Sequence, residues 1–224
     1  MRLLDLEPAP WPTTAWDGSF GGPDLPLDLQ WLRTPEPASI FSLEARPGWL
    51  RLFGRETIGS HFTQALVARR QEHFRFSATT LLDYDPANFQ QAAGLVCYYN
   101  GTKFHYLHVT REDGVRRLQI MSAQPEEGCT IELVVPRLPD GEIELRAEVD
   151  HDVLRFGWRV AGAEQWQILP TERDASILSD EVTLPGLPNF TGAFVGLACQ
   201  DVSGAGRAAD FAWFRYEGRD APGS

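Results

Sequence analysis

Tyr98, Tyr99 and Asn100 sit together at the end of F-Q-Q-A-A-G-L-V-C-Y-Y-N, the run from Phe89 to Asn100. Gln90 and Gln91 open that run, and Phe104 and Tyr106 follow one turn later. These are residue types that hold sugars. An aromatic ring offers its face to the C–H groups of a pyranose, and amide side chains both donate to and accept from hydroxyls. On a concave sheet face, Tyr98, Tyr99, Asn100, Gln90 and Gln91 would form a carbohydrate-binding platform. The competing reading places the aromatics in the core and uses the amides to tie down a loop.

Hydrolysis of a glycosidic bond needs two carboxylates at a set separation. Glu142, Glu144 and Glu148 project from one face of E-I-E-L-R-A-E-V-D, but Arg146 interrupts the row, so the reading is a solvated charged face. Asp83 and Asp85 precede Pro86 and read as turn residues. His105 and His108 lie three apart on an expected strand and so point to opposite faces. With no C-x-x-C or H-x-H cluster, a transition-metal site is not expected. A structural calcium held by loop carbonyls and Asp side chains is compatible with the sequence; no other cofactor is expected. The run Gly204 to Ala209, G-A-G-R-A-A, mimics a dinucleotide fingerprint but precedes a strand-like stretch rather than a helix. No G-x-S-x-G elbow is present. No catalytic residue is assigned.

The elements that must position these residues are strands. In Glu142 to Asp150, Ile143, Leu145, Ala147 and Val149 face one way and charged residues the other, the pattern of a half-buried strand. Val153 to Val160 continues it after a hairpin at His151-Asp152. Phe74 to Leu82 alternates likewise, with Phe74, Phe76, Ala78, Thr80 and Leu82 on one face. Ala93 to Tyr99, Lys103 to Thr110 and Val115 to Met121 form a meander, with turns predicted at Asn100-Gly101 and Asp113-Gly114. About a dozen such strands, roughly 8 to 14 residues apart, predict a single all-β antiparallel sandwich or jelly roll. The one helix candidate is a turn or two near Glu172 to Leu178. Residues 1–37 are Pro-rich and predict an extended arm with a short strand around Leu27 to Leu32 and with Trp11 and Trp16 packed on the domain. Residues 38–218 are assigned to the sandwich and 219–224 to a tail.

The chain has 224 residues, enough to bury roughly 70% of its unfolded surface without a disulfide or metal. Its formal charge is -11, from 20 Lys and Arg against 31 Asp and Glu. Such a balance argues against nucleic acid, whose phosphates need Lys and Arg, and against anionic membranes. No apolar run is long enough to span a bilayer. The N-terminal residues lack the apolar core of a secretion signal, so a cytoplasmic location is expected. Cys97, Cys129 and Cys199 are widely spaced in apolar, strand-like context and read as buried free thiols.

Several segments together resemble one family. They are R-P-G-W-L-R-L-F-G-R-E from Arg46, F-T-Q-A-L-V-A-R-R-Q from Phe62, the Phe89–Asn100 run, L-S-D-E from Leu178, F-T-G-A-F-V-G from Phe190, Q-D-V-S-G from Gln200 and A-D-F from Ala209. In this order they resemble the C-terminal concanavalin A-like β-sandwich of glycoside hydrolase family 43 β-xylosidases. The resemblance implies a non-catalytic domain whose enzymes carry their carboxylates on a separate β-propeller. It further implies that a loop Phe reaches the rim of the propeller's pocket, and by position that residue is Phe190. The A-D-F segment continues as A-W-F-R-Y where the family often has D-Y-F-x-Y, so Ala212 removes a polar contact. Three readings follow. The chain is an accessory sandwich that binds xylan or xylo-oligosaccharides or completes a propeller, or it is a stand-alone carbohydrate-binding module. An independent hydrolase is the least supported.

Overall fold

The computed structural model describes residues 15–182 and 191–219. The alternating segments become strands of two antiparallel sheets. In spatial order the first contains β13 (Gln167–Asp174), β12 (Val153–Val160), β11 (Ile143–Asp150), β6 (Arg75–Asp83), β15 (Ala208–Gly218), β4 (Leu50–Phe53) and β3 (Phe41–Ser42), with β1 (Ala15–Ser19) also on β15. The second runs β10 (Gly128–Val135), β9 (Val115–Gln124), β8 (Lys103–Glu112), β7 (Gln91–Asn100), β14 (Phe194–Asp201), β5 (Ala65–Arg70) and β2 (Gln30–Trp31). The predicted all-β sandwich is the observed one.

The inner faces meet in one core. Phe76, Ala78 and Leu82 of β6, Leu145 and Ala147 of β11, and Phe211 and Phe214 of β15 pack with Leu95 of β7, Leu107 of β8 and Leu197 of β14. The second sheet carries another apolar layer on its outer face. Leu66, Val96, Tyr98, Phe104, Tyr106 and Ala198 are buried there, with Ile58 from the loop before β5. Strand β7 lies between these layers, buried on both faces. Gly94 within it is required by a close approach, since a Cβ there would lie 2.0 Å from the Leu107 carbonyl oxygen.

Turn chemistry fixes most registers. Asp113 and Gly114 both adopt positive φ, 49° and 73°, as a two-residue type I′ hairpin requires. His151, at φ 58°, turns the β11–β12 hairpin where predicted. The other turn is displaced by one residue. Asn100 pairs with Lys103, so the chain reverses at Gly101-Thr102. The Asn100 Oδ1 accepts from both the Thr102 amide and its hydroxyl at 2.9 Å, which pulls the turn forward.

Four expectations need correction. Phe74 is not inward-facing; it precedes β6, is 71% exposed and stacks on His151. The helix candidate is a four-residue 3₁₀ turn, Ala175–Leu178, because Glu172 belongs to β13 and Asp174 caps the turn through the Ser176 amide. The Pro-rich segment contributes more than one short strand, since β1 zips onto β15 and Phe20 and Leu29 are buried. Cys97 and Cys199 are buried thiols, but Cys129 is exposed because β10 is an edge strand with solvent on its outer side. Trp16 does pack on Phe214; Trp11 lies outside the described residues.

His105 and His108 point to opposite faces of β8, as predicted. His105 bonds Ser122 Oγ at 2.8 Å and the Asp174 carbonyl at 3.0 Å across the core. His108 stacks on Tyr106 in the outer layer. Burial pushes both imidazoles down from 6.5 to about 4. Between those values the unfolded chain binds protons that the folded chain does not, so stability rises with pH through that window. It is fully present above about pH 6.5 and lost as pH falls through about 4. The loss is about 3 kcal/mol per histidine. Urea unfolding between pH 7 and 4 should show this fall, and His108→Gln should remove about half of it. A midpoint that is level across the window contradicts the account.

Candidate functional site

The structure does not bring the expected platform together. Gln91 and Asn100 are the first and last residues of β7, about 30 Å apart at the strand rise. Gln91 ties a loop at the far end. Its Nε2 donates to Asp201 and Ser203, and its Oε1 accepts from the Ala87 amide. Gln90 works there through its backbone, accepting from the Val202 amide. Tyr106 is fully buried and donates to the Ala198 carbonyl at 2.9 Å. Asn100 is occupied in its turn. Tyr98 and Tyr99 face opposite sides of the sheet, into the outer layer and the core respectively. Phe190 lies outside the described residues.

Two features nevertheless gather at the Tyr98–Asn100 end. The first is a cavity of about 250 Å³ on the outer face. Tyr98, Leu66 and Ala68 line it together with Trp31, Phe194, Arg33 and Arg70. Tyr98 stacks on Phe104, and its hydroxyl accepts from Gln64 Nε2 at 3.3 Å. Trp31, Phe194, Arg33 and Arg70 were not foreseen. They are far apart in sequence, and the pairing of β2 with β5 and of β5 with β14 is what unites them.

The second feature is a clamp on both ends of the 183–190 segment. Lys103 is 1% exposed. Its ammonium donates to the Ser179 carbonyl at 2.6 Å and the Val182 carbonyl at 2.8 Å, and sits 3.6 Å from the Tyr99 ring centre. Three donors thus meet two carbonyls and one π face, which compensates a cation that would otherwise be costly to bury. Burial lowers its pKa, while Asp180 and Glu181 oppose that shift. The Tyr99 hydroxyl donates to Asp180. On the returning side, Thr191 Oγ1 donates to the Tyr99 carbonyl at 3.0 Å, and Arg70 donates to the Thr191 carbonyl at 2.7 Å while lying over Phe194. Tyr99 is therefore a tether for both stems.

The opposite end of the sandwich is closed by ion pairs. Arg51 grips Asp210 with two bonds of 2.7 Å, and Arg46 bridges Asp210 and Asp83 while stacking on Trp49. Burial alone would raise the Asp210 carboxyl, but bonds from Arg51 and Arg46 hold it below the usual range. Most of the carboxylates considered for catalysis, Asp83 among them, also lie in ion pairs. Asp85 pairs with Arg111, Glu144 with Arg159, and Glu148 with Arg146 and Arg219. Among the described residues no group of three or more His, Cys, Asp or Glu converges as metal ligands would. The clamp makes a local prediction. Lys103→Met should cost about 2 kcal/mol by stranding two carbonyls. It should speed amide hydrogen exchange at 179–182 and leave the β11–β12 hairpin unchanged. Equal acceleration at both places would contradict a local clamp.

Comparison with known proteins gives the family of the whole domain. A family described as the beta xylosidase C-terminal concanavalin A-like domain matches residues 18–217. The Xylosidase/arabinosidase 43B of Humicola insolens is 42% identical over 199 residues, covering 86% of this chain and 37% of its own length. The beta-xylosidase of Bacillus subtilis strain 168 is 35% identical, over 96% of this chain and 42% of its own length. The crystal structure of a xylan beta-1,4-xylosidase from Bacillus halodurans C-125 superimposes with a TM-score of 0.84 at 35% identity, covering 95% of this chain and 41% of that one. The chain thus spans about two fifths of the length of these relatives. With its sandwich, its ordered motifs and a match over nearly its full length, the chain belongs to the concanavalin A-like C-terminal domain family of the family 43 β-xylosidases.

Proposed function

We propose that this chain is the accessory, non-catalytic sandwich of a β-xylosidase-type glycosidase. In this reading it docks on a catalytic β-propeller by the Tyr98–Asn100 end and presents residues 183–190, Phe190 among them, to that propeller's substrate pocket. The observation that carries the proposal is the clamp. Lys103, Tyr99 and Arg70 fix Val182 and Thr191, so the intervening segment starts and finishes at defined points. Pre-ordering of this kind lowers the entropic cost of completing a site. The chain path agrees, because Ala15 pairs with Glu217 and thus enters the first sheet near the same end.

Among the described residues, no arrangement of carboxylates favours independent hydrolysis. The candidate acids Asp83, Asp85 and Glu144 are bound to arginines, whereas a glycosidase needs, beside its ionised carboxylate, a second one held protonated. A second reading, a stand-alone module for xylo-oligosaccharides, draws support from the cavity beside Tyr98 and Phe194.

The two readings separate in one experiment. The purified chain is mixed with the separately produced propeller portion of a family 43 β-xylosidase, and xylobiose hydrolysis is followed. The accessory reading predicts that the mixture exceeds the propeller alone and that Phe190→Ala lowers the gain. No gain and no co-elution on size exclusion would refute it. Calorimetric titration with xylohexaose tests the second reading, which predicts saturable binding without any propeller.

A further inference from the structure

A sheet edge with unpaired backbone is a template for another strand, and proteins block such edges with proline, charge, bulges or short length. Four free edges among the described residues are blocked in these ways. β2 and β3 have two residues each. β1 carries Asp17 at its centre, paired with Arg215. β13 contains Pro170, meets β12 across an irregular register and pairs Glu172 with Arg155. β10 differs from all four. It pairs with β9 alone, runs eight residues from Gly128 to Val135, and contains no proline, lysine or arginine. Its one irregularity lies between Leu133 and Val135, so the strand is regular up to Leu133.

The side chains of β10 sort by face. Its single charged residue, Glu132, reaches Thr171 and Arg173 of β13 in the other sheet and is neutralised there. Cys129, Ile131 and Leu133 lie on the opposite, outer face. Ile131 is 58% exposed and Leu133 is 44% exposed. This row carries the outer apolar layer out to the edge of the sheet, because Cys129 sits opposite Ala123 and Ile131 opposite Met121, and both partners belong to that layer. The chain as a whole has a formal charge of -11, yet this strand presents no uncompensated charge to a second copy of itself.

We propose that β10 pairs antiparallel with β10 of a second copy, about a two-fold axis at Ile131, and so joins the two seven-stranded sheets into one. Opposed residues in an antiparallel pair share a face, so outer residues must meet outer residues. An axis at Glu132 would set two carboxylates against each other. An axis at Thr130 would oppose Leu133 to Glu127, and one at Cys129 would oppose Ile131 to Glu127. The axis at Ile131 opposes Ile131 to itself, Leu133 to Cys129 and Thr130 to Glu132, so apolar residues meet and like charges do not. About six residues a side bury on the order of 1,000 Å² in total, the low end of specific interfaces, so the dimer is weak and concentration-dependent.

The test is sedimentation velocity of the chain across the micromolar range, up to about 0.5 mM. The sedimentation coefficient should rise with concentration towards that of a dimer. Ile131→Lys adds a charge at an exposed position on the axis, so it should stay monomeric with an unchanged urea midpoint. Leu133→Cys sets a thiol opposite Cys129 of the second copy, at a separation that a disulfide spans. Mild oxidation should therefore link this variant into dimers through Cys129 and leave the wild type unlinked. A monomer throughout the range overturns the proposal. So does a dimer that survives Ile131→Lys, or a Leu133→Cys variant that oxidation fails to link. Should the lysine variant unfold, the cross-link decides alone. A monomer whose residues 128–134 gain exchange protection only when a propeller is added assigns the edge to that partner and also overturns the proposal.

Discussion

Strand β7 is buried on both faces from Gln91 to Tyr99, and the second sheet is organised around this constraint. A sheet with core on one side and a second apolar layer on the other offers little broad face for a ligand. Tyr106, Val96 and Ala198 are spent on packing. The cavity at the margin of the outer layer lies beside the Tyr98 end of β7. The two ends then diverge. Around Asp210, arginines and carboxylates neutralise one another in a closed network. Around Tyr99, a cation reaches into the core to hold backbone, and an aromatic cavity stays open beside it.

The use of Lys103 is the clearest example of sequence chemistry becoming geometry. An ammonium in a core is tolerated only with its donors satisfied. Here the satisfying groups are carbonyls of a segment with no regular ladder of its own, so the cost of burial and the order of that segment are coupled. The same logic explains why Tyr99 is a tyrosine. Its ring faces the cation, its hydroxyl reaches Asp180, and its carbonyl accepts from Thr191.

Much of the fold was legible in the sequence because it rests on local signals. Alternation in Glu142 to Asp150 named the buried face of β11, and Asp113-Gly114 named a hairpin. Misreadings occurred where a tertiary partner overrode the local pattern. Phe74 continued an alternation past the end of its strand, and the Asn100 side chain moved a turn by one residue. The site was less legible. Neighbours in sequence suggested that Gln90, Gln91, Tyr98 and Tyr99 act together, but an extended strand carries its two ends to opposite poles of the domain. Trp31, Arg33 and Arg70 could not be grouped beforehand, because a two-residue strand at a sheet edge unites them. The family resemblance reached further than local pattern, since several ordered motifs constrain the whole chain at once.

We propose that the Tyr99–Lys103 end docks on a catalytic propeller. Hydrogen–deuterium exchange of this chain, with and without a family 43 propeller, tests it most directly. The account predicts added protection at 98–103, 176–182 and 191–194, with exchange at 83–88 and 111–114 unchanged. Protection confined to the Asp83–Asp210 end, or an unchanged pattern throughout, would contradict it.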